Sequence, residues 1–272
     1  MKHWLVVNRR HTLHGACMLL ALGALLPWGA ALRADDSASP KLTQDQILER
    51  WATALGGRDR LAALQSIHLV AQLAIGDQKG RFETWYTVRG ERRDLLEMPQ
   101  LRQEVVFDGT RGWVRDADGK VFALSGADLA TQVTSAYQAT YAWLVPGRLP
   151  GDVALTGESA APPGYVFVIR PRNGTPYTVV LDRQTFLPVQ VVQRRPQGSS
   201  TQTMSSWRAV GGIRFPWAAR QTSGDPNQAV EFAVESIEFD PTLDPRLFKE
   251  PATSATPPPL AMPPDAAPPN AR

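Results

Sequence analysis

Apolar residues recur along the chain with two different periods, and the first of them is helical. Between 41 and 57 they fall one helical turn apart. Thr43 and Gln46 form the Thr-x-x-Gln pattern of a capping box, whose side chains satisfy free amides at a helix start. Gly56 and Gly57 then supply a left-handed stop. This pattern predicts an opening helix, followed by a short helical turn at 58–64.

From residue 66 onward the period is two, which is typical of strands with one buried face. In the first strand, His68 and Gln72 alternate with an apolar face made of Ile67, Leu69, Ala71, Leu73 and Ile75. Further strand-like runs lie at 81–88, 92–96, 103–107, 112–115, 121–124, 153–156, 165–170, 177–182, 189–194, 203–210, 215–222 and 230–239.

Short turn signals separate several of these runs. Asp108-Gly109, Asp118-Gly119 and Asn173-Gly174 are pairs that adopt positive φ readily, which two-residue hairpin turns require. Consecutive strands joined by such turns predict an antiparallel sheet.

One helical pattern interrupts the strands. Ser125 is a candidate N-cap with Asp128 three residues later, and the segment ends near Pro146. Its apolar stripe consists of Leu129, Val133, Tyr137, Tyr141 and Leu144. Because this stripe has to be buried, we expect the helix to lie against the concave side of a curled sheet.

The two ends of the chain differ from the predicted domain at 42–250. Residues 1–34 combine a basic start, a short apolar run and small residues, which is the pattern of a secretory signal peptide cleaved near Ala31 or Ala34. Residues 35–41 form a short linker. The segment 251–272 holds eight prolines and predicts a disordered Pro/Ala-rich tail. The expected location is the periplasm.

Removing the predicted signal peptide changes the chemistry that the chain can perform. Four of its 29 basic residues lie in that peptide, which leaves 25 against 26 acidic residues. This balance gives no reason to expect nucleic acid as a partner. The only cysteine is lost as well, and His68 is the one remaining histidine. Thiol chemistry is therefore excluded, and a histidine-based zinc site effectively so.

The candidate catalytic residues are Asp108 and His68. Asp108 lies in Phe-Asp-Gly-Thr-Arg-Gly-Trp (107–113), which resembles a scrambled aspartic-protease loop, but the sequence contains no Asp-Thr-Gly or Asp-Ser-Gly. No motif pairs His68 with a serine or an aspartate. We therefore predict a turn at Asp108, a structural role for His68, and no catalytic, metal or cofactor residues.

Trp85 and Trp113 allow two interpretations. Arg81 lies on the same strand face as Trp85, and Arg111 and Arg115 flank Trp113 in the same way. The guanidinium groups could stack on the indoles over the outer surface of the sheet. Alternatively, the two indoles and the three guanidinium groups could form a rim that holds an acidic or lipid headgroup.

The order of several segments resembles a known family. They are Gln-Ile-Leu-Glu-Arg-Trp-Ala-Thr-Ala-Leu-Gly-Gly (46–57), Leu-Ala-Ala-Leu-Gln-Ser (61–66), the loop at 107–113, Val-Leu-Asp-Arg-Gln-Thr-Phe-Leu-Pro (180–188), Val-Gly-Gly-Ile-Arg-Phe-Pro (210–216) and Leu-Asp-Pro-Arg-Leu-Phe (243–248). Together they are similar to the outer-membrane lipoprotein-sorting (LolA/LolB-like) superfamily, in its uncharacterised periplasmic branch. The resemblance implies a mainly β, α+β fold. It is an open antiparallel half-barrel of about eleven to twelve strands, with the N-terminal and internal helices over the concave face.

The resemblance also implies a function. Members of the superfamily carry lipoproteins or lipids, or sense them during envelope stress, so we expect a non-enzymatic carrier of lipid or lipoprotein acyl chains. A protein-interaction or stress-sensing module with a filled core, and a carboxylate-based enzyme, are the alternatives. The expected partners are a lipid or acylated protein and an envelope protein, with transient membrane contact at most. The candidate ligand-lining residues are Leu129, Val133, Tyr137, Tyr141, Trp85 and Trp113.

Overall fold

The computed structural model describes residues 41–99, 101–195, 198–223 and 225–253. The predicted signal peptide, the tail beyond 253 and all of the linker except residue 41 lie outside the described residues, so they stay predictions.

The first helix begins at the predicted capping box. Helix α1 spans Gln44–Leu55, and the Thr43 hydroxyl accepts a hydrogen bond from the Gln46 amide at 3.3 Å. The Gln46 side chain in turn accepts from the Thr43 amide at 2.9 Å. A second helix, α2 (Arg58–Ala63), follows directly.

The rest of the described chain is dominated by one antiparallel sheet of thirteen strands, one or two more than expected. The strands are β1 (Ser66–Ile75), β2 (Gln78–Thr87), β3 (Arg92–Met98), β4 (Leu101–Phe107), β5 (Gly112–Arg115), β6 (Val121–Ala123), β7 (Gly151–Ala160), β8 (Pro163–Pro171), β9 (Tyr177–Asp182), β10 (Pro188–Arg195), β11 (Gly198–Val210), β12 (Ile213–Ser223) and β13 (Asp225–Phe239).

Sequence neighbours are also sheet neighbours, apart from one pairing. The order is β6-β5-β4-β3-β2-β1-β13-β12-β11-β10-β9-β8-β7, so the first and last strands pair in the middle and β6 and β7 form the two edges. In the β1–β13 pair, Ile67 lies opposite Phe239, and a bulge interrupts the register after Val70. The sheet is open, as predicted.

The connection between the two edges carries the internal helix. Helix α3 spans Gly126–Ala139 and leads into a 3₁₀ turn at Ala142–Leu144. The helix is shorter than its apolar stripe predicted, because Tyr141 adopts a left-handed conformation with φ 53°. Ser125 occupies the N-cap position, but its side chain makes no capping hydrogen bond.

The core lies between the helices and the concave face of the sheet. Ile47, Trp51 and Leu55 of α1 are fully buried and belong to one apolar cluster with Phe167 and Leu181. Helix α1 can end close to the β11–β12 turn because Gly56 has no side chain. A Cβ atom at Gly56 would lie 2.0 Å from the carbonyl oxygen of Gly212.

The C-terminal segment packs on the other face of the sheet. A 3₁₀ turn at Pro245–Phe248 contacts β3 and β4, and Phe248 is 3% exposed. The outward-facing Glu104 and Val106 of β4 are buried as well, so this segment covers the convex face there. Among the described helices, none is long and apolar enough to cross a membrane.

Candidate functional site

The concave face of the sheet encloses a cavity of about 590 Å³. Apolar side chains make up most of its wall, because alternate residues of each strand point to the same side. The lining comes from α1 (Trp51, Leu55), β1 (Leu69, Ala71, Leu73, Ile75), β2 (Phe82, Thr84, Tyr86), β3 and β4 (Arg92, Leu96, Met98, Leu101), the α3 region (Ser135, Gln138, Ala139, Tyr141, Trp143), β9 and β10 (Tyr177, Val179, Pro188, Val191, Gln193), β11 (Ser200, Gln202, Met204, Trp207), β12 (Phe215, Pro216, Ala219, Gln221) and β13 (Val230, Phe232, Val234).

The antiparallel order gives the cavity two different ends. The hairpin tips β1–β2, β3–β4, β5–β6, β8–β9, β10–β11 and β12–β13 share one end of the sheet, which we call the open end. Ile75, Met98, Val230, Tyr177 and Gln193 line the cavity toward it. At the other end, the closed end, Trp51 and Leu55 of α1 close the cavity. On β1, Leu69 and Ile75 are six residues apart, so the lining extends about 20 Å along the strand.

Aromatic rings form one cluster in the cavity wall. The indoles of Trp51 and Trp143 are 5.2 Å apart between centroids, and Trp143 lies 6.0 Å from Tyr141 and 6.4 Å from Tyr177. Burial raises the pKa of Tyr141 and Tyr177 above the ordinary tyrosine value, so both phenols stay neutral at physiological pH.

One charged residue lines the cavity in the part of the chain that the structure describes. Arg92, at the start of β3, donates from Nε to Asp94 Oδ1 at 2.7 Å, and Thr84 Oγ1 donates to the same oxygen at 2.5 Å. Burial raises the pKa of the neighbouring Tyr86, and the positive charge of Arg92 opposes this shift. Arg92 therefore places a partly neutralised positive charge beside the closed end.

The predicted ligand-lining residues fall into three groups. Tyr141 lines the cavity. Tyr137 is buried in the core, where its ring lies against the backbone of Gly151. Leu129 and Val133, on the first turns of α3, are half-buried and do not belong to the lining.

Trp85 and Trp113 lie on the convex face. Strand pairing places Trp85 opposite His68, Arg93 opposite Trp85, and Trp113 opposite Val106. Cross-strand partners share a face, whereas Leu69 and Tyr86 beside them point into the cavity.

The arginines stack on the indoles, as one of the two interpretations held. Arg111 lies 5.2 Å from the ring of Trp113, while Arg93 instead of the expected Arg81 lies 5.6 Å from Trp85.

The convex face also holds buried carboxylates. Glu83 is fully buried, and its Oε1 lies 2.8 Å from His68 Nε2. Glu104 forms ion pairs with Arg93 at 2.7 Å and with Arg115. No group of three His, Cys, Asp or Glu residues in the described ranges could hold a metal ion.

Asp108 forms the predicted turn. Its Oδ1 accepts hydrogen bonds from the amides of Thr110 at 2.9 Å and Arg111 at 2.7 Å, and Gly109 has φ 93°. Desolvation raises the pKa of Asp108, but these amides and the Arg111 guanidinium outweigh it and hold the pKa below its usual value. The carboxylate is therefore engaged in the turn and not displayed for catalysis.

Most of the lining residues were not singled out from the sequence. The alternation of β1 does place Leu69, Ala71, Leu73 and Ile75 on one face, and all four line the cavity. Since apolar residues line cavities and fill cores alike, this pattern could not separate the two.

The sequence matches no protein-family model and no curated protein at a significant level. Solved structures are nevertheless similar in fold. A LolA superfamily protein from Nitrosomonas europaea is 12% identical, with a TM-score of 0.52 over 77% of this chain and 98% of that one. A DUF1329 family protein from Desulfovibrio piger is 14% identical, with a TM-score of 0.50 and the same coverage. The chain has the LolA-like fold, as its strand and turn motifs predict.

Proposed function

We propose that this protein is a non-enzymatic carrier that holds an apolar ligand, a lipid or the acyl chains of a lipoprotein, in the cell envelope. The observation that carries the proposal is the cavity of about 590 Å³ between the helices and the concave face. Its size falls within the range of about 300–1,000 Å³ that is usual for small-molecule sites. The LolA-like fold is consistent with this role.

Burial of the ligand supplies the affinity. Each methylene group moved from water into the cavity contributes about 0.8 kcal/mol. Because aromatic and aliphatic side chains form most of the wall, a long acyl chain would gain several kcal/mol before the entropic cost of binding is subtracted. The partners would be a lipid or an acylated protein, with an envelope protein that delivers or receives it.

The two alternatives fit the cavity less well. A sensing module with a filled core would not need a space of this size. A carboxylate-based enzyme would place Asp or Glu side chains in the cavity, and none is among the described lining residues. Asp94, on the same sheet face, is held by hydrogen bonds from Thr84 and Arg92. The buried Glu83 and Glu104 lie on the convex face and are held by ion pairs.

The test combines mass and binding measurements on protein exported to the periplasm. Its mass under native and denaturing conditions should differ by a co-purifying lipid, and delipidated protein should take up a fluorescent fatty acid. A clean apo mass together with no uptake would refute the carrier role.

A further inference from the structure

Uncharged polar side chains line one part of the cavity wall toward the open end. They come from α3 and from the adjacent strands β10, β11 and β12, and each of them is half-buried. We call them the glutamine patch, which consists of Ser135, Gln138, Gln193, Ser200, Gln202 and Gln221.

Strand pairing makes the glutamine patch continuous. Gln193 lies opposite Ser200 across β10 and β11, and Gln202 lies opposite Gln221 across β11 and β12. Side chains directly opposite one another have Cβ atoms about 4.5–5.5 Å apart, and diagonal neighbours such as Gln193 and Gln202 about 7–8 Å. Helix α3 joins the patch because Gln193 Nε2 donates to Gln138 Oε1 at 3.3 Å.

Two of these glutamines have hydrogen-bonding groups to spare. A carboxamide offers two N–H donors and an acceptor oxygen. No hydrogen bond joins the side chain of Gln202 or Gln221 to another residue in the described part of the chain. Their amide groups are therefore available to a ligand that enters the cavity.

The glutamine patch offers no charge to an ionised group. Arg92 is the charged residue among the described lining residues, but it lies beside the closed end, where Asp94 accepts from its Nε at 2.7 Å. An ionised carboxylate or phosphate buried against carboxamides would lose its hydration without gaining an opposite charge, which is costly. The patch therefore favours a polar group that is uncharged, such as an ester, an amide or a hydroxyl.

The same strands become apolar toward the closed end. On β11, Gln202 is followed in the lining by Met204 and Trp207. Strand β12 runs in the opposite direction, and Phe215 there precedes Gln221. A ligand that complements this wall has its polar group at the open end and its hydrocarbon beyond it, because hydrocarbon against the carboxamides would leave them unpaired.

We propose that the ligand is an acyl lipid whose polar linkage is an uncharged ester or amide, bound with that linkage on the glutamine patch and with its hydrocarbon extended toward the closed end. The amide N–H groups of Gln202 and Gln221 donate to the carbonyl oxygens of the linkage. Their own oxygens accept from its hydroxyl or amide groups. A free acylglycerol and the acylated N-terminus of a lipoprotein share this chemistry. The inference rests on the proposed carrier function and specifies the polar group and the orientation of its ligand.

The first experiment compares ligands with the same acyl chain and different polar groups. Monopalmitoylglycerol, palmitoylethanolamide, palmitate and palmitoyl lysophosphatidate each compete with the uncharged dye Nile red for the delipidated full-length mature protein. We expect the two uncharged ligands to bind about tenfold more tightly than the two anions, a difference of about 1.4 kcal/mol. Equal affinities, or tighter binding of the anions, would overturn the inference but leave the carrier function standing. No binding of any of the four would overturn both.

A second pair of ligands separates the two sources. Dipalmitoylglycerol represents a free glycerolipid, and a peptide that begins with an N-palmitoylated dipalmitoylglyceryl cysteine represents a lipoprotein. The tighter ligand of the two identifies the source, and either order supports the inference because both ligands carry the uncharged linkage. If neither displaces Nile red more strongly than palmitate does, the inference is wrong.

Variants test the glutamine patch itself. Gln202→Leu and Gln221→Leu each replace a carboxamide with a hydrocarbon of similar size. We expect each to remove most of the preference for monopalmitoylglycerol, while palmitate affinity changes less than about threefold. Gln72→Leu is the matched control, because Gln72 is exposed on the convex face of β1. An unchanged preference in both patch variants would contradict the inference.

A charged variant tests the same patch by a gain of affinity. Gln221→Lys places a cation at the open end, and we expect it to raise palmitate affinity about tenfold, since a hydrogen bond to a charged group is stronger than one between neutral groups. Palmitate affinity that stays at the wild-type value in Gln221→Lys would show that the polar end of the ligand does not lie on the glutamine patch.

The orientation is tested by fluorescence quenching. Trp51 lies at the closed end, and Trp207 lies three residues before the end of β11, at the same end of the sheet. A monoacylglycerol brominated near its methyl end should quench tryptophan emission more than one brominated beside the ester, and Trp207→Phe should reduce the difference. Stronger quenching by the bromine beside the ester would show the reverse orientation and overturn the inference.

Discussion

The imidazole of His68 stacks face to face on the indole of Trp85, with 5.0 Å between the ring centroids and 6° between the planes. Because both side chains lie on the convex face, the only histidine beyond the predicted signal peptide is separated from the cavity by the sheet itself. The same imidazole contacts the buried carboxylate of Glu83 at 2.8 Å. The convex face thus holds a structural cluster, and the concave face holds the candidate site.

Glu83 should be important for stability. Replacing it with alanine removes a fully buried carboxylate that contacts His68, and we expect a loss of about 3–5 kcal/mol in the free energy of unfolding. Urea unfolding followed by far-UV circular dichroism measures the change. The matched control is Glu158→Ala, which removes an exposed ion pair with Arg183 and should cost less than about 1 kcal/mol. Equal losses in the two variants would contradict the prediction.

The close approach of Gly56 to Gly212 should not tolerate a side chain. Gly56 has φ 127°, and a Cβ there would overlap the Gly212 carbonyl oxygen. We expect Gly56→Ala to destabilise the fold by about 1–3 kcal/mol. Gly57→Ala is the control, since Gly57 also has positive φ but no atom lies within 4 Å of its Cβ position. If Gly56→Ala and Gly57→Ala lower the melting temperature equally in thermal unfolding, the backbone strain of positive φ alone explains the effect.

Filling the cavity should block ligand uptake. Ala219 lines the cavity from β12, and the indole in Ala219→Trp would occupy space that the ligand needs. We expect at least a tenfold loss of fluorescent fatty-acid affinity, equivalent to about 1.4 kcal/mol. Ala218→Trp places the same ring at a neighbouring position that does not line the cavity, and it should bind normally. Unimpaired binding by Ala219→Trp would place the ligand elsewhere.

Acid should destabilise the β9–β10 turn through Asp182. The Thr185 amide and hydroxyl, together with the Gln184 amide, donate to Asp182 Oδ1 and hold its pKa below the ordinary value despite slight desolvation. The Asp182 carboxylate stabilises the fold fully at pH values above about 3.9, the pKa of an Asp side chain in the unfolded chain. This contribution is lost as the pH falls through the lower pKa that Asp182 has in the folded protein.

Asp182→Asn should therefore unfold at a lower urea concentration than wild type at pH 7, and the difference should shrink as the pH falls below about 4. The measurement is the urea midpoint as a function of pH. A difference that stays constant across this range would show that the charge of Asp182 does not contribute.

The local elements follow from the amino-acid sequence alone. Strands β5 and β9 have the predicted bounds, because a period of two with flanking turn residues depends on neighbouring residues alone. The capping box at Thr43 and the turn at Asp108 formed as expected for the same reason. These local signals predict an antiparallel sheet, and the family resemblance that the order of the motifs carries implies the open half-barrel.

Which face of each strand points inward is a property of the folded sheet. Alternation separates Trp85 from Tyr86 but does not say which of the two meets the cavity, because that depends on the direction in which the whole sheet curls. Tertiary packing also ended α3 at Ala139, so that Tyr141 lines the cavity while Leu129 and Val133 do not. Whether apolar side chains meet or leave a space between them depends on distances between distant segments, and a linear pattern does not contain those distances.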